Sequence, residues 1–427
     1  MVLLYSPLPT ARLHYSASFI FSDRLRVPFR ITDNIHELSS FAGIRINYAD
    51  SETAATCFHI RPSGLLQELG IRPQNPAYQK QTEQHQIFPA ASADCPFDLF
   101  SSCFYLISRY EEYLPHSKDS YGRFAHGESL AYRSGFLQEP VVDQWIVWLA
   151  GQLNQRFPEQ HIPLPEFRFV PTYDIDNAFA FRHKNLIRTL GGWLRSPSLD
   201  RWLVLTGKKK DPYDSYDLLD EEHAKHGLVP RYFFLAAKNI EGYDKNIDRG
   251  PALTALIARH GSKYPVGLHP SWQSGGSEAV LLEEKSYLES VLGKSVCHSR
   301  QHFIRFNLPD GYRRLIDAGI TDDHSMGYGS INGFRASTGA SFKWYDLEKE
   351  TITSLKVHPF CYMEANSYYE QQHTAARALE ELQHYFRVCK TAGTSLTTIW
   401  HNHFLGTGPR FAGWRETYLF FLNQVCR

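Results

Sequence analysis

The sequence predicts an α/β protein in two parts: a smaller α+β domain over residues 1–160 and a barrel-like (β/α) domain over residues 165–427. Three observations predict it. After residue 165, apolar strand-like runs alternate with helix-like stretches, the pattern of a parallel sheet, closed or open. Before it, short strands and turns come first and two helices follow. Pro163 and Pro165 mark the boundary between the two rhythms. A chain of 427 residues is long enough for two domains, or for one large barrel with an appendage.

In the first part, Arg12–Phe21, Gly43–Tyr48 and Cys57–Ile60 read as strands. Residues 72–95 are polar and rich in Pro, Gln and Ala, so they read as a loop. A helix follows Pro96, with Phe100, Cys103, Phe104 and Ile107 at helical spacing, Asp94 as a cap and Pro115 as a stop. A second helix spans Val141 to Phe157, with Val142, Trp145, Ile146, Leu149 and Leu153 on one face. In the second part the strand-like runs are Phe167–Tyr173, Arg231–Leu235, Tyr264–Leu268, Phe303–Phe306, Ser354–Val357 and Ser395–Trp400. Between them, Leu253–His260, Ser277–Leu292, Gly311–Ala318 and Thr374–Lys390 read as helices.

Composition narrows the function. Lys+Arg and Asp+Glu both count 45, so no global charge favours nucleic acid or an anionic surface. No apolar run approaches the ~20 residues of a membrane span, and the N-terminal run lacks the basic region of a signal peptide. The seven cysteines are scattered and form no CxxC, which points to reduced thiols and a cytoplasmic protein. Neither GxGxxG nor GxxxxGK[ST] occurs, so no nucleotide-phosphate cradle is visible, and the GxSxG elbow is absent. Lys208-Lys-Lys210 reads as a solvated basic loop.

The candidates for chemistry lie at strand ends. The run Phe167-Arg-Phe-Val-Pro-Thr-Tyr-Asp174-Ile-Asp176-Asn177 ends in two carboxylates two positions apart, which a continuing strand would place on one face. One carboxylate could then hold a metal while the other takes a proton from water; an Asp-x-Asp-Asn run also opens ordinary loops. His269 ends the run Tyr-Pro-Val-Gly267-Leu, where Pro270 stops the strand. In Cys297-His298-Ser299-Arg300-Gln301-His302-Phe-Ile-Arg305, alternation would put Arg300 and His302 on one face, and an arginine can fix a carboxylate through paired hydrogen bonds; a solvated strand edge is the other reading. Trp400-His401-Asn402-His403 ends the last apolar strand. Either histidine there could protonate a leaving amine, or the two could ligate a metal.

Taken in order, these pieces resemble the polysaccharide deacetylase superfamily, of the carbohydrate-esterase and NodB-homology type, over about residues 165–427. Tyr173-Asp174-Ile-Asp176 resembles the branch whose first motif reads D-x-D. The resemblance implies a distorted deacetylase-type barrel, Asp174 as general base, Asp176 and His269 as metal ligands, Arg300 or Arg305 as the group orienting the base, and His401 as general acid. The family's second motif is H-x-x-x-H, and Gln273 stands where its second histidine belongs; His302, Asp322, Asp323 or His324 could fill that gap. Residues 98–143, with Arg109-Tyr-Glu-Glu-Tyr113 and Gly122-Arg-Phe124, resemble an uncharacterised domain often joined to such barrels in bacteria.

The expected activity is hydrolysis of an amide-type C–N bond, most of all removal of an N-acetyl group from an amino sugar in a glycan or glycan precursor. The expected cofactor is a divalent metal such as zinc. Two alternatives stand beside it: a hydrolase of a small cyclic or linear amide, and a non-catalytic glycan-binding or scaffold protein, which Gln273 favours.

Overall fold

The computed structural model describes residues 1–51, 56–91, 93–195, 198–239 and 242–426. The N-terminal part is built on a four-stranded sheet of β1 (Val2–Tyr5), β2 (Phe29–Thr32), β3 (Ile44–Tyr48) and β4 (Phe58–Ile60), in the order β2-β1-β3-β4 with every pair parallel. Arg12–Phe21, expected as a strand, is helical: Ala11–Ala17 is an α-helix that runs on into a wider turn over Ser18–Arg24. Thr10 caps it by accepting from the Leu13 N–H. Most of its side chains are buried, so no polar face marks the helical period. Residues 72–95, expected as a loop, contain the hairpin β5 (Tyr78–Gln81) and β6 (Gln84–Ile87), whose polar side chains hide the strand alternation. The helix after Pro96 is Leu99–Ile107. Its cap is Asp98, which accepts from Ser101 N at 3.0 Å, and not Asp94, which accepts from His59 N. The second helix, Val141–Arg156, lies where its apolar period places it.

Nine strands form the second sheet: β7 (Arg168–Ile175), β8 (Arg231–Leu235), β9 (Val266–His269), β10 (His298–Ser299), β11 (Asp322–Asp323), β12 (Phe342–Asp346), β13 (Thr351–Val357), β14 (Tyr362–Met363) and β15 (Ser395–His401). Their order is β12-β13-β11-β10-β9-β8-β7-β15-β14, and only the β12/β13 pair is antiparallel. The result is a distorted (β/α) barrel whose edge strands β12 and β14 are not hydrogen-bonded to each other among the described residues. Parallel strands with crossover helices bury both faces, which is why β7, β8 and β15 read as near-continuous apolar runs.

The helices Pro251–Gly261, Glu278–Leu292, Asp310–Asp317 and Ala375–Thr391 fall within a few residues of their expected spans; Ser277 and Thr374 cap two of them. Phe303–Phe306 is not a strand. The chain leaves β10 after Ser299, and Phe303 and Ile304 adopt left-handed backbone (φ 58° and 54°), a costly conformation for bulky residues. Arg123, from the N-terminal part, donates to the Phe303 carbonyl at 2.6 Å and helps hold this turn. One apolar core runs through both parts of the chain. No helix among the described residues is long and apolar enough to cross a membrane.

Candidate metal and catalytic site

The adjacent strands β9, β8, β7 and β15 bring their C-terminal ends together, and three of them carry the site. β7 delivers Asp174 and, just beyond its end, Asp176. β9 ends at His269 and β15 at His401, whose backbone is in register with Asp174. His302 arrives from the strained turn after β10. The C-terminal end of a barrel is where side chains from separate strands can converge on one point.

Asp176 is the centre. His269 Nε2 lies 3.1 Å from its Oδ1; His302 Nε2 and His401 Nε2 lie 3.4 and 3.3 Å from its Oδ2. Each imidazole is backed on its other nitrogen. His269 Nδ1 donates to the Arg300 carbonyl at 2.5 Å, His302 Nδ1 to Asp244 Oδ1 at 2.9 Å, and His401 Nδ1 to Glu364 Oε1 at 2.7 Å. A backbone carbonyl only accepts, so Nδ1 of His269 carries the hydrogen and Nε2 faces Asp176. Backing of this kind fixes the ring and raises the basicity of the inward nitrogen, as around metal-binding histidines.

Donor atoms from Asp176, His269 and His302 all lie within 4.8 Å of one another. One carboxylate oxygen and two imidazole nitrogens suit a borderline divalent cation such as zinc. The donor set therefore fits a metal. Burial opposes charge on His302, but Asp176 and Asp244 lift its ring to about 9. Burial likewise opposes charge on His401, and Glu364 and Asp176 hold its ring well above the usual range. Against its own burial, the Asp176 carboxyl is held well below the ordinary carboxylate range by His302, His401 and the hydrogen bond from His269.

Arg300 is fully buried and donates to Asp174 Oδ1 at 2.8 Å, with its guanidinium 4.3 Å from the centre of the Phe233 ring. Arg305 does not reach Asp174. It stacks on Trp272 at 4.2 Å and donates to the Trp272 carbonyl, because the turn at Phe303–Ile304 sends the chain away from β7. Of the residues that could replace the second histidine, His302 is the one at the site. Asp322 pairs with His358, Asp323 with Ser325, and His324 with Arg231. Gln273 reaches Asp244 at 3.3 Å, behind His302. His403 is half-buried; desolvation and the neighbouring His401 lower its ring to about 3, and it forms no ion pair with Asp176 among the described residues.

Sequence reasoning missed Asp244 and Glu364. Glu364 follows the two-residue strand β14, too short to show a period, and Asp244 lies in a loop with no pattern. It also missed the cavity walls. The site opens into a cavity of about 450 Å³ lined by Asp174, Asp176, His269, His302 and His401, and also by Tyr121, Arg123, Tyr243 and Lys245. Tyr121 and Arg123 come from the N-terminal part. The larger groove beside the helix Ala375–Thr391, about 710 Å³, holds none of these residues.

Residues 2–158 match the model of DUF7033, a family of unknown function. No curated protein matches the sequence. Among solved structures the chain is similar to a Mycobacterium smegmatis protein assigned as a polysaccharide deacetylase, with 14 % identity, a TM-score of 0.40 and coverage of 61 % of this chain and 84 % of that one. A polysaccharide deacetylase from Bacillus cereus shares 12 % identity at a TM-score of 0.31, over 60 % of this chain and 87 % of that one. The allantoinase PuuE shares 11 % identity at a TM-score of 0.39, over 60 % of this chain and 83 % of that one. Polysaccharide deacetylases are thus among the solved structures that resemble this chain over some three-fifths of its length.

Proposed function

We propose that this protein is a metal-dependent hydrolase of amide-type C–N bonds that removes an N-acetyl group from an amino sugar in a glycan or glycan precursor. The observation that carries the proposal is the set of three imidazoles whose Nε2 atoms face Asp176, next to an arginine-held Asp174. Asp176, His269 and His302 would hold the ion. When bound, such an ion makes a neighbouring water more acidic and polarises a carbonyl. Asp174, kept in place by Arg300, takes the proton of the attacking water. His401, with Glu364 on Nδ1, donates the Nε2 proton to the departing amine nitrogen. Acetate and the free amine leave.

The non-catalytic alternative rested on Gln273. His302 supplies a third donor that does not depend on position 273, which supports the enzyme instead. We also propose that residues 1–160 are a domain that completes the substrate cavity through Tyr121, whose aromatic face suits a sugar ring, with Arg123 paired to Asp119 beside it.

Metal analysis by mass spectrometry tests the core of this reading. Purified protein should carry about one ion per chain, lost in Asp176→Ala and in His269→Ala, and Asp174→Asn should keep the ion and lose acetate release from acetylated amino sugars. Absence of metal, even after addition of zinc, cobalt or nickel, would sink it.

A further inference from the structure

Between β7 and the helix Tyr216–His226 the chain carries two helices, Leu186–Arg195 and Leu199–Leu205. Each carries exposed apolar side chains among its described residues. Leu190 and Leu194 are four residues apart on the first; Leu199, Trp202 and Leu205 are three apart on the second. All five are exposed, Leu194 by 78 % and Leu199 by 72 %, while Val204 faces the protein. Single exposed apolar side chains are ordinary, but four leucines and a tryptophan exposed on two helices that meet at Gly192 and Arg201 call for a partner surface.

The same segment is strongly basic. Residues 181–210 hold eight Lys or Arg against the single acid Asp200, in a chain whose net charge is zero. Some of that charge is used internally: Lys209 pairs with Asp200 and Lys210 with Asp217. Arg182, Lys184 and Lys208 form no ion pair among the described residues, and Lys208 sits over the Trp202 ring at 4.9 Å. Leucine and tryptophan faces flanked by Lys and Arg are the composition of helices that lie in a membrane interface. Anionic headgroups attract such cations. A second copy of this chain would instead set one basic patch against another.

The segment leaves the catalytic end of β7. Arg188 donates to the carbonyls of Asn246 (2.8 Å) and Lys245 (3.1 Å), and Lys245 lines the catalytic cavity. We propose that this helix pair docks the cavity mouth onto an anionic membrane surface without spanning it. If the hydrolase reading above holds, on which this second step rests, the substrate is an N-acylated amino sugar carried on a membrane lipid.

The test is sedimentation of the full-length, metal-loaded protein with vesicles. It should pellet with vesicles containing phosphatidylglycerol, at least ten-fold less with pure phosphatidylcholine, and less as salt rises. Leu194→Glu combined with Trp202→Glu should lower pelleting with anionic vesicles at least ten-fold while the melting temperature and the turnover of a soluble acetylated amino sugar stay those of the parent. Equal pelleting with both vesicle types, none with either, or full pelleting of the double variant overturns the docking. So does a dimer in solution that the double variant abolishes. Because pelleting is read without substrate, an inactive protein that still binds vesicles would refute the hydrolase reading and leave the docking standing.

Discussion

His401 faces two carboxylates, Glu364 on Nδ1 and Asp176 across from Nε2, and both favour its charged form against the cost of burial. In Glu364→Gln the hydrogen bond can persist but the charge is gone. The ring should then lose its proton at lower pH, so the alkaline limb of the pH profile of kcat/KM should move down. Turnover at neutral pH should fall about 10–100-fold, as when other partners behind a site histidine are removed. A pH-rate profile with an unshifted alkaline limb would remove His401 as the acid. At this scale the sequence offered Asp174, Asp176, His269 and His401 as chemically distinctive residues at strand ends, and Arg300 and His302 within a run read by strand alternation, and the structure gathers all six at one cavity or beside it. The sequence did not separate Arg300 from Arg305, because alternation says nothing about a turn that bends away.

The helix Glu278–Leu292 does more than cover β9. Its Glu284 is buried and accepts from the Ser271 N–H at 2.9 Å, steadying the loop that follows His269. Burial lifts this carboxyl from 4.5 to about 7, against the hydrogen bond to Ser271. The fold therefore favours the protonated form. That stabilisation is fully present below about pH 4.5 and is lost as pH rises through about 7. Glu284→Gln keeps an acceptor without a charge. It should stabilise the protein by about 1–3 kcal/mol at pH 8 and leave it unchanged near pH 4. Thermal melts of both proteins at the two pH values measure this. Elements with a clear period and a cap, such as this helix and Ala375–Thr391, were legible. The mostly buried helix Ala11–Ala17 and the polar hairpin β5/β6 were not, since neither shows a clear apolar and polar face in its sequence.

Across the whole molecule, the two parts share more than an apolar core. Glu112 accepts from Arg335 Nη2 at 2.5 Å and Nε at 2.8 Å, and from Arg109 Nε at 2.8 Å, all fully buried. Burial opposes its charge, yet the two guanidinium groups hold the carboxyl down at about 2. Such a depressed group contributes stability above about pH 4.5 that is lost as pH falls toward 2. Glu112→Gln leaves Arg335 without its charged partner and should cost about 3–5 kcal/mol at pH 7. Denaturant unfolding should show this as a lower midpoint in a single transition. Two separate transitions would mean that residues before 160 and after 165 unfold independently.

The alternation of apolar strands with helices and the placement of acids and imidazoles at strand ends are local, and both were written in the sequence. Which of His302, Asp322, Asp323 and His324 lies beside Asp176 and His269 was not. His302 reaches Asp176 from the segment after β10, where its N–H donates to the Pro270 carbonyl beyond β9, and Arg123, far earlier in sequence, holds the left-handed turn that follows it. Asp244 and Glu364 join the site from a loop and from just after a two-residue strand, with no periodic signal. Periodicity reports the face a residue shares with its chain neighbours. The partners of a buried charge are set by long-range packing, which the tertiary structure alone decides.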